Sequence, residues 1–380
     1  ELSGVVSTGG TLGRKDFVPD QDATVVARLR EAGAIVLGKT NLPEISMGFE
    51  SSNLVYGRAK NPYDTGRTPG GSSGGEAAII AAGGSPLGMG SDAGGSIRWP
   101  SHCCGIAGLK PTTGRIPRTG HWPPFAGVFS LVTQPGPMAR SVRDLALALP
   151  ILAGPDGRDP TAVPVGLGDP DSVSLGQLRV AFHTFNGVAM PTEELKEAVI
   201  RAAGLLEQEV ETVSEDRPQA LEGTPALHAS IMGADAGQVA RAILREAGSP
   251  EMDPDLKARI SMMPSEPKPV KEFMDDLASL EEYRSRMIGF MQSYDVMLGP
   301  AAPVPAALHH HGYDGFPESG SYSHAYNLAG WPALVIRGGT SPEGLPLGIQ
   351  MISAPWREDV VLAVGAYLEE ALGPFPGPEI

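Results

Sequence analysis

Apolar positions fall at helical spacing in several stretches of the chain, and short apolar runs separate them. Val25, Val26 and Leu29 share one face of a predicted helix over 22–34, which Asp22 caps and Gly33 ends. Further helices are predicted over 76–82 and Val142–Leu152, the latter opened by a Ser141-x-x-Asp144 capping box and disturbed by Pro150. Thr192 caps an amphipathic helix whose stripe is Leu195, Val199, Ala202 and Leu206. A long helix over 270–293 carries Phe273, Leu277, Leu280, Met287 and Met291 as core. Two more follow, over 323–329 and 359–372, and Pro100 reads as the first residue of another. Apolar runs at 35–37, 87–91, 178–183, 295–298, 333–337 and 346–352 read as strands. Residues 154–177 form a Pro-, Gly- and Asp-rich loop, and 214–268 carry no clear pattern. No internal repeat is visible. The mixture predicts an α/β fold over 1–380: one large domain with a central mixed β-sheet of many strands, covered by helices on both faces.

Composition narrows the function. The 380 residues carry a formal net charge of −15 and no block of lysine and arginine, which argues against a nucleic-acid partner. The longest uncharged stretches are broken by Gly and Pro, so none reads as a membrane span. The 2 cysteines, Cys103 and Cys104, are adjacent, a spacing that suits neither a disulfide framework nor a zinc site. Two small buried thiols in a reducing cytoplasm fit better. His309-His310-His311 lacks carboxylate or cysteine company and reads as a loop, so no metal and no cofactor are expected.

Chemistry concentrates in residues 70–100, GGSSGGEAAIIAAGGSPLGMGSDAGGSIRWP. Two serines, Ser72 and Ser96, each sit among glycines. A nucleophilic serine needs a proton acceptor and N–H groups that close around a developing oxyanion, and Gly94-Gly95-Ser96 offers such groups without obstructing Cβ atoms. The pair points to hydrolytic acyl transfer. The helix after the first cage directs its N-terminus at Ser72 and Ser73.

This block closely resembles the core motif of the amidase signature family. The likeness continues through Cys104–Thr112 (CGIAGLKPT), Gly136–Arg140, Asp22–Asn41, Asn327–Ala333 (NLAGWPA) and Gly344–Gln350. It implies a Ser–cis-Ser–Lys triad that hydrolyses carboxylic amides, with Ser96 as nucleophile and Ser72 as the bridging serine held by a cis peptide. It also implies an oxyanion hole from the N–H groups of Ala93, Gly94, Gly95 and Ser96, with Asp92 and Arg98 supporting the turn. Ser73 either bonds Ser72 or Ser96 or caps the following helix. The family lysine lies in a G-x-P-x-x-x-K-D/E stretch whose aligned place precedes Glu1. The chain is therefore expected to be truncated at its N-terminus, and as written inactive or severely impaired. Lys15 imitates the dipeptide from the following loop, while Lys39 and Lys110 match structural positions.

Met47, Phe49, Trp122, Phe125, Tyr322 and Trp331 are candidates for the pocket lining, which as a set favours an uncharged aliphatic or aryl amide. His324, close to Asn327, is expected to border that pocket. The expected partner is a small-molecule amide, with a homodimer as one form of assembly. Alternatives are the amidase component of a tRNA-dependent amidotransferase, against which Trp99 counts, and a non-catalytic amidase-like chain.

Overall fold

The computed structural model describes residues 1–309 and 320–379. Its centre is an eight-stranded mixed sheet. Numbered with a small two-stranded ribbon, β1 (Ser52–Asn53) and β2 (Gly57–Arg58), the sheet strands are β3 (Leu87–Asp92), β4 (Ala107–Lys110), β5 (Gln134–Ala139), β6 (Arg179–Phe182), β7 (Thr212–Glu215), β8 (Val296–Pro300), β9 (Ala333–Thr340) and β10 (Pro346–Ser353). They lie in the order β3-β5-β4-β9-β10-β8-β6-β7. β6 runs parallel to β7 and β8, and the other pairs are antiparallel.

Alternation along the inner strands builds two cores. Leu334 and Ile336 of β9 and Val296 and Leu298 of β8 join one apolar layer, while Ala333, Met297 and Ala181 join another across the sheet. The first layer is closed by α4 (Val142–Leu152), α5 (Glu193–Leu206) and the last helix, Glu358–Leu372. The opposite face takes α2 (Gly74–Ala81), α3 (Arg98–Cys104), α6 (Thr224–Met232), α9 (Val270–Phe290) and α10 (Ser321–Ala329). Helices therefore cover both faces, as the periodicity predicted. Two further helices, α7 (Gln238–Glu246) and α8 (Pro254–Ser261), pack around Ile45.

Several local expectations fail for identifiable reasons. Residues 35–37 form no strand: Ile35 is 86% and Leu37 70% exposed, and among the described residues the end strand β3 pairs only with β5. The first helix, α1, is Thr24–Glu31 with Ala23 at its N-cap; Asp22 instead accepts from Ser3 N (2.7 Å) and pairs with Arg30. Helix α3 opens at Arg98, two residues before Pro100. Thr192 occupies the N-cap of α5 but its hydroxyl makes no cap bond. Ser141 does cap α4, accepting from Asp144 N (3.2 Å). Cys103 and Cys104 are free and buried. No described helix is long and apolar enough to cross a membrane. Among the described residues no group of three metal-ligating side chains assembles; His310 and His311 lie outside them.

Candidate active site

Strand β3 delivers the chain into the turn Ala93-Gly94-Gly95-Ser96, and α3 carries it away. Gly95 has φ +117°, a backbone region that L side chains rarely adopt, and a Cβ there would also lie 2.7 Å from Ser323 Oγ. The turn is held from beneath by Asp92. Its Oδ1 accepts from Gly95 N (2.7 Å), Asn327 Nδ2 (2.9 Å) and Arg98 Nη2 (3.0 Å). Its Oδ2 accepts from Arg98 Nε (3.0 Å) and Ile97 N (3.2 Å). Arg98 reaches on to Asn327 Oδ1 (2.5 Å) and Gln350 Oε1 (3.2 Å). Both charged groups are fully buried. Burial would raise the Asp92 carboxyl, but the Arg98 guanidinium and the hydrogen bonds from Arg98 and Asn327 outweigh it and hold it well below the usual carboxylate range.

Because Gly95 N–H is committed to Asp92, the turn keeps three N–H groups without a protein acceptor among the described residues, those of Ala93, Gly94 and Ser96. Ser96 itself is almost buried, and its carbonyl accepts from Ser73 N (3.1 Å), which ties the two serine loops together. The Gly71–Ser72 peptide is cis. Ser51 clamps this first loop, donating to Gly70 O (3.0 Å) and accepting from Gly74 N (3.0 Å). Ser73 stands at the N-cap of α2 without a cap bond from its side chain; its hydroxyl accepts from Ser91 N (3.3 Å).

No described lysine hydrogen-bonds Ser72. Lys15 and Lys39 are exposed, and Lys110 is buried with its Nζ on Pro111 O (2.8 Å). Burial, with Arg98 nearby, brings the Lys110 ammonium down to about 7 against the opposing pull of Asp92 and Glu358.

A pocket opens over the turn and reaches Ala93, Gly94 and Ser96. Met47, Phe49 and Phe125 line it, as expected, and so does His324. Three expected lining residues lie elsewhere. Trp122 packs against Arg14 (4.1 Å from guanidinium to ring centroid). The Tyr322 hydroxyl donates to Ala189 O (2.8 Å) inside the fold, and Trp331 is fully buried in the core under α9 and α10. Sequence reading missed Phe129, His228, Met232, Arg259 and Met263. Four of these five come from 214–268, where short helices bury too few residues each to give a readable stripe. One charged side chain also borders the pocket: the Arg259 guanidinium stands over the Phe49 ring, 5.0 Å from its centroid. Phe49 is fixed in turn by Trp99 of α3, whose Nε1 donates to Phe49 O (3.0 Å).

The amidase family model matches residues 1–362. A glutamyl-tRNA(Gln) amidotransferase component of Thermus thermophilus is 37% identical over 397 residues, covering 97% of this chain and 82% of that protein. AtzE, a 1-carboxybiuret hydrolase component from a Pseudomonas species, is 33% identical, covering 97% and 81%. Among solved structures, 6-aminohexanoate cyclic dimer hydrolase with its substrate superposes with a TM-score of 0.86 at 28% identity, covering 100% of this chain and 84% of that one. With this site at the centre of this sheet, the chain belongs to the amidase family, the amidase signature hydrolases.

Proposed function

We propose that the chain's site cleaves a small carboxylic amide through an acyl-enzyme on Ser96. Ser96 Oγ adds to the amide carbonyl, and the oxyanion that forms takes hydrogen bonds from the N–H groups of Ala93, Gly94 and Ser96. The Ser96 proton passes to Ser72, whose own proton moves to a base; the family resemblance gives that role to a lysine. The base returns that proton through Ser72 to the amide nitrogen, the C–N bond breaks and the amine leaves; water then attacks the ester carbonyl, giving its proton to the same relay, and the acid departs as Ser96 regains its proton. Gly95 acts through its conformation and its bond to Asp92. Asp92 and Arg98 hold the turn and Ser73 ties β3 to the Ser72 loop, so all three are positioning residues. The observation that carries this reading is the nucleophile turn itself: three N–H groups without acceptors among the described residues, beside a serine at the mouth of a pocket with an apolar side.

An activated ester tests it, because p-nitrophenyl acetate acylates a serine without protonation of the leaving group. Peptide mass spectrometry is expected to place the acetyl group on Ser96 and to lose it in Ser96→Ala. Acetylation of S96A at the wild-type rate refutes the assignment. Ser72→Ala is expected to slow acylation while leaving the fold intact.

A second reading, the amidase component of a tRNA-dependent amidotransferase, draws support from the Thermus relative and is opposed by Trp99 and the acidic charge. Copurification with the other components of such a complex, and glutaminase activity that depends on tRNA, would favour it over the free amidase.

A further inference from the structure

One wall of the pocket is built unlike the rest. His228 of α6 and His324 of α10 lie face to face, with ring centroids 3.7 Å apart and planes inclined by 2°. Neither nitrogen of His324 has a hydrogen-bond partner among the described residues, although the side chain is buried. A neutral imidazole offers one donor and one acceptor, and leaving either unmade in a buried place is costly. The Nε2 edges of both rings converge on the nucleophile turn: a Cβ on Gly94 would lie 3.1 Å from His324 Nε2 and 3.8 Å from His228 Nε2. Glycine at 94 thus lets the imidazole pair reach the atoms that a substrate on Ser96 would occupy.

Arg259 of α8 joins this wall. Among the described residues it forms no ion pair with any carboxylate, and none of the described lining residues is acidic. That is notable in a chain of net charge −15. Its guanidinium raises the cost of protonating either ring, and burial, aided by Arg259, brings His228 down to about 3. Among the described residues the wall therefore presents a positive fork beside neutral N–H donors and no anion.

We propose that His228, His324 and Arg259 form a carboxylate subsite, so that the substrate is an amide whose acyl part carries an anionic group. This rests on the assignment of Ser96 as nucleophile. A guanidinium fork matches carboxylate oxygens in pairs, and an imidazole N–H completes their hydrogen bonding. The apolar side of the pocket, Phe49, Phe125 and Met47, then takes the methylene chain between the two ends.

Calorimetry on the full-chain Ser96→Ala protein tests the subsite with succinamate, glutaramate and adipamate against the matching neutral diamides and hexanamide. At least one ω-carboxylate is expected to bind about tenfold more tightly than its diamide, the effect of one hydrogen bond to a charged group. Arg259→Gln is expected to bring that ratio close to one, and Arg259→Lys to restore part of it. His324→Phe is expected to weaken carboxylate binding and leave hexanamide binding as strong or stronger. Equal binding of acid and diamide, a ratio unchanged by R259Q, or no detectable carboxylate binding at any concentration overturns the proposal. The acetylation of Ser96 is read separately. Acetylation without carboxylate preference removes the subsite and keeps the nucleophile; the reverse keeps the subsite and removes the nucleophile.

Discussion

Replacing Asp92 by Asn changes one oxygen into a donor and leaves the rest of the turn untouched. Five donors converge on the carboxylate within 3.2 Å, from Gly95, Ile97, Asn327 and twice from Arg98. An amide presents one acceptor and one NH2, so whichever way it turns, an N–H group meets buried N–H donors. The larger loss is electrostatic: Arg98 is fully buried, and Asp92 is its ion-pair partner. Removing one member of a buried pair costs about 3–5 kcal/mol. With an unfolding entropy near 2.1 cal/mol/K per residue, the 380 residues give roughly 0.8 kcal/mol/K, so Tm should fall by about 4–6 °C. Scanning calorimetry at pH 7 measures this directly, and acetylation of Ser96 by p-nitrophenyl acetate should slow because Gly95 and Ile97 lose part of their anchor. The double variant Asp92→Asn with Arg98→Met removes both charges and should recover part of the lost Tm, since the unpaired guanidinium is the main cost. A D92N protein melting within about 1 °C of wild type would refute the reasoning, as would a double variant no more stable than the single one. Acid adds a check of sign. A carboxyl held below its unfolded pKa stabilises above pH ~4 and loses that contribution as pH falls further, so D92N should flatten the stability curve below pH ~4.

Three other outcomes are expected. Gly95→Ala forces a Cβ onto a φ of +117° and against Ser323 Oγ, and should cost about 1–3 kcal/mol by urea unfolding while abolishing Ser96 acetylation. Ser73→Ala frees the Ser91 N–H and should lower stability by about 1 kcal/mol, with the helix content of α2 unchanged by circular dichroism. His102 is buried, donates to Val304 O and accepts from Gly348 N, and burial brings it down to about 4. The unfolded chain takes up its proton near pH 6.5 while the folded one refuses it until about pH 4. Stability is therefore lost as pH falls across that window, by about 1.4 kcal/mol per unit, and His102→Gln should remove that slope.

The sequence made the outer design legible wherever a segment buries one face against one layer. Leu195, Val199, Ala202 and Leu206 have a single environment, and all four are in the core. It was misleading where local pattern and tertiary pairing disagree. Ile35-Val36-Leu37 has strand propensity, yet strands are held by partners and the run has none among the described residues. Strand β5, Gln134-Pro135-Gly136-Pro137-Met138-Ala139, has the opposite problem: two prolines and a glycine hide a fully buried strand. At the site, glycines and serines form a local motif and could be read directly. Arg259, His228 and Met232 reach the pocket from two short helices, and their meeting with Phe49 depends on folding across some two hundred residues. No spacing in the chain encodes that encounter.

The anchoring of the turn at Asp92 also sets an order of events. The two amides that complete the Asp92–Arg98 pair lie far along the chain: Asn327 is 235 residues from Asp92, and Gln350 is 252 residues from Arg98. At about 5–20 residues per second, a ribosome delivers Gln350 roughly 13–50 s after Arg98 has been made. Until Asn327 is made the nucleophile loop has a carboxylate and a guanidinium but neither amide that fixes them, and until Gln350 follows it has only one. A nascent chain, or a fragment ending before residue 327, would carry both serines without the clamp that shapes the turn between them. Cleavage in the 154–177 loop differs: if the two pieces stay associated, every ligand of Asp92 is retained.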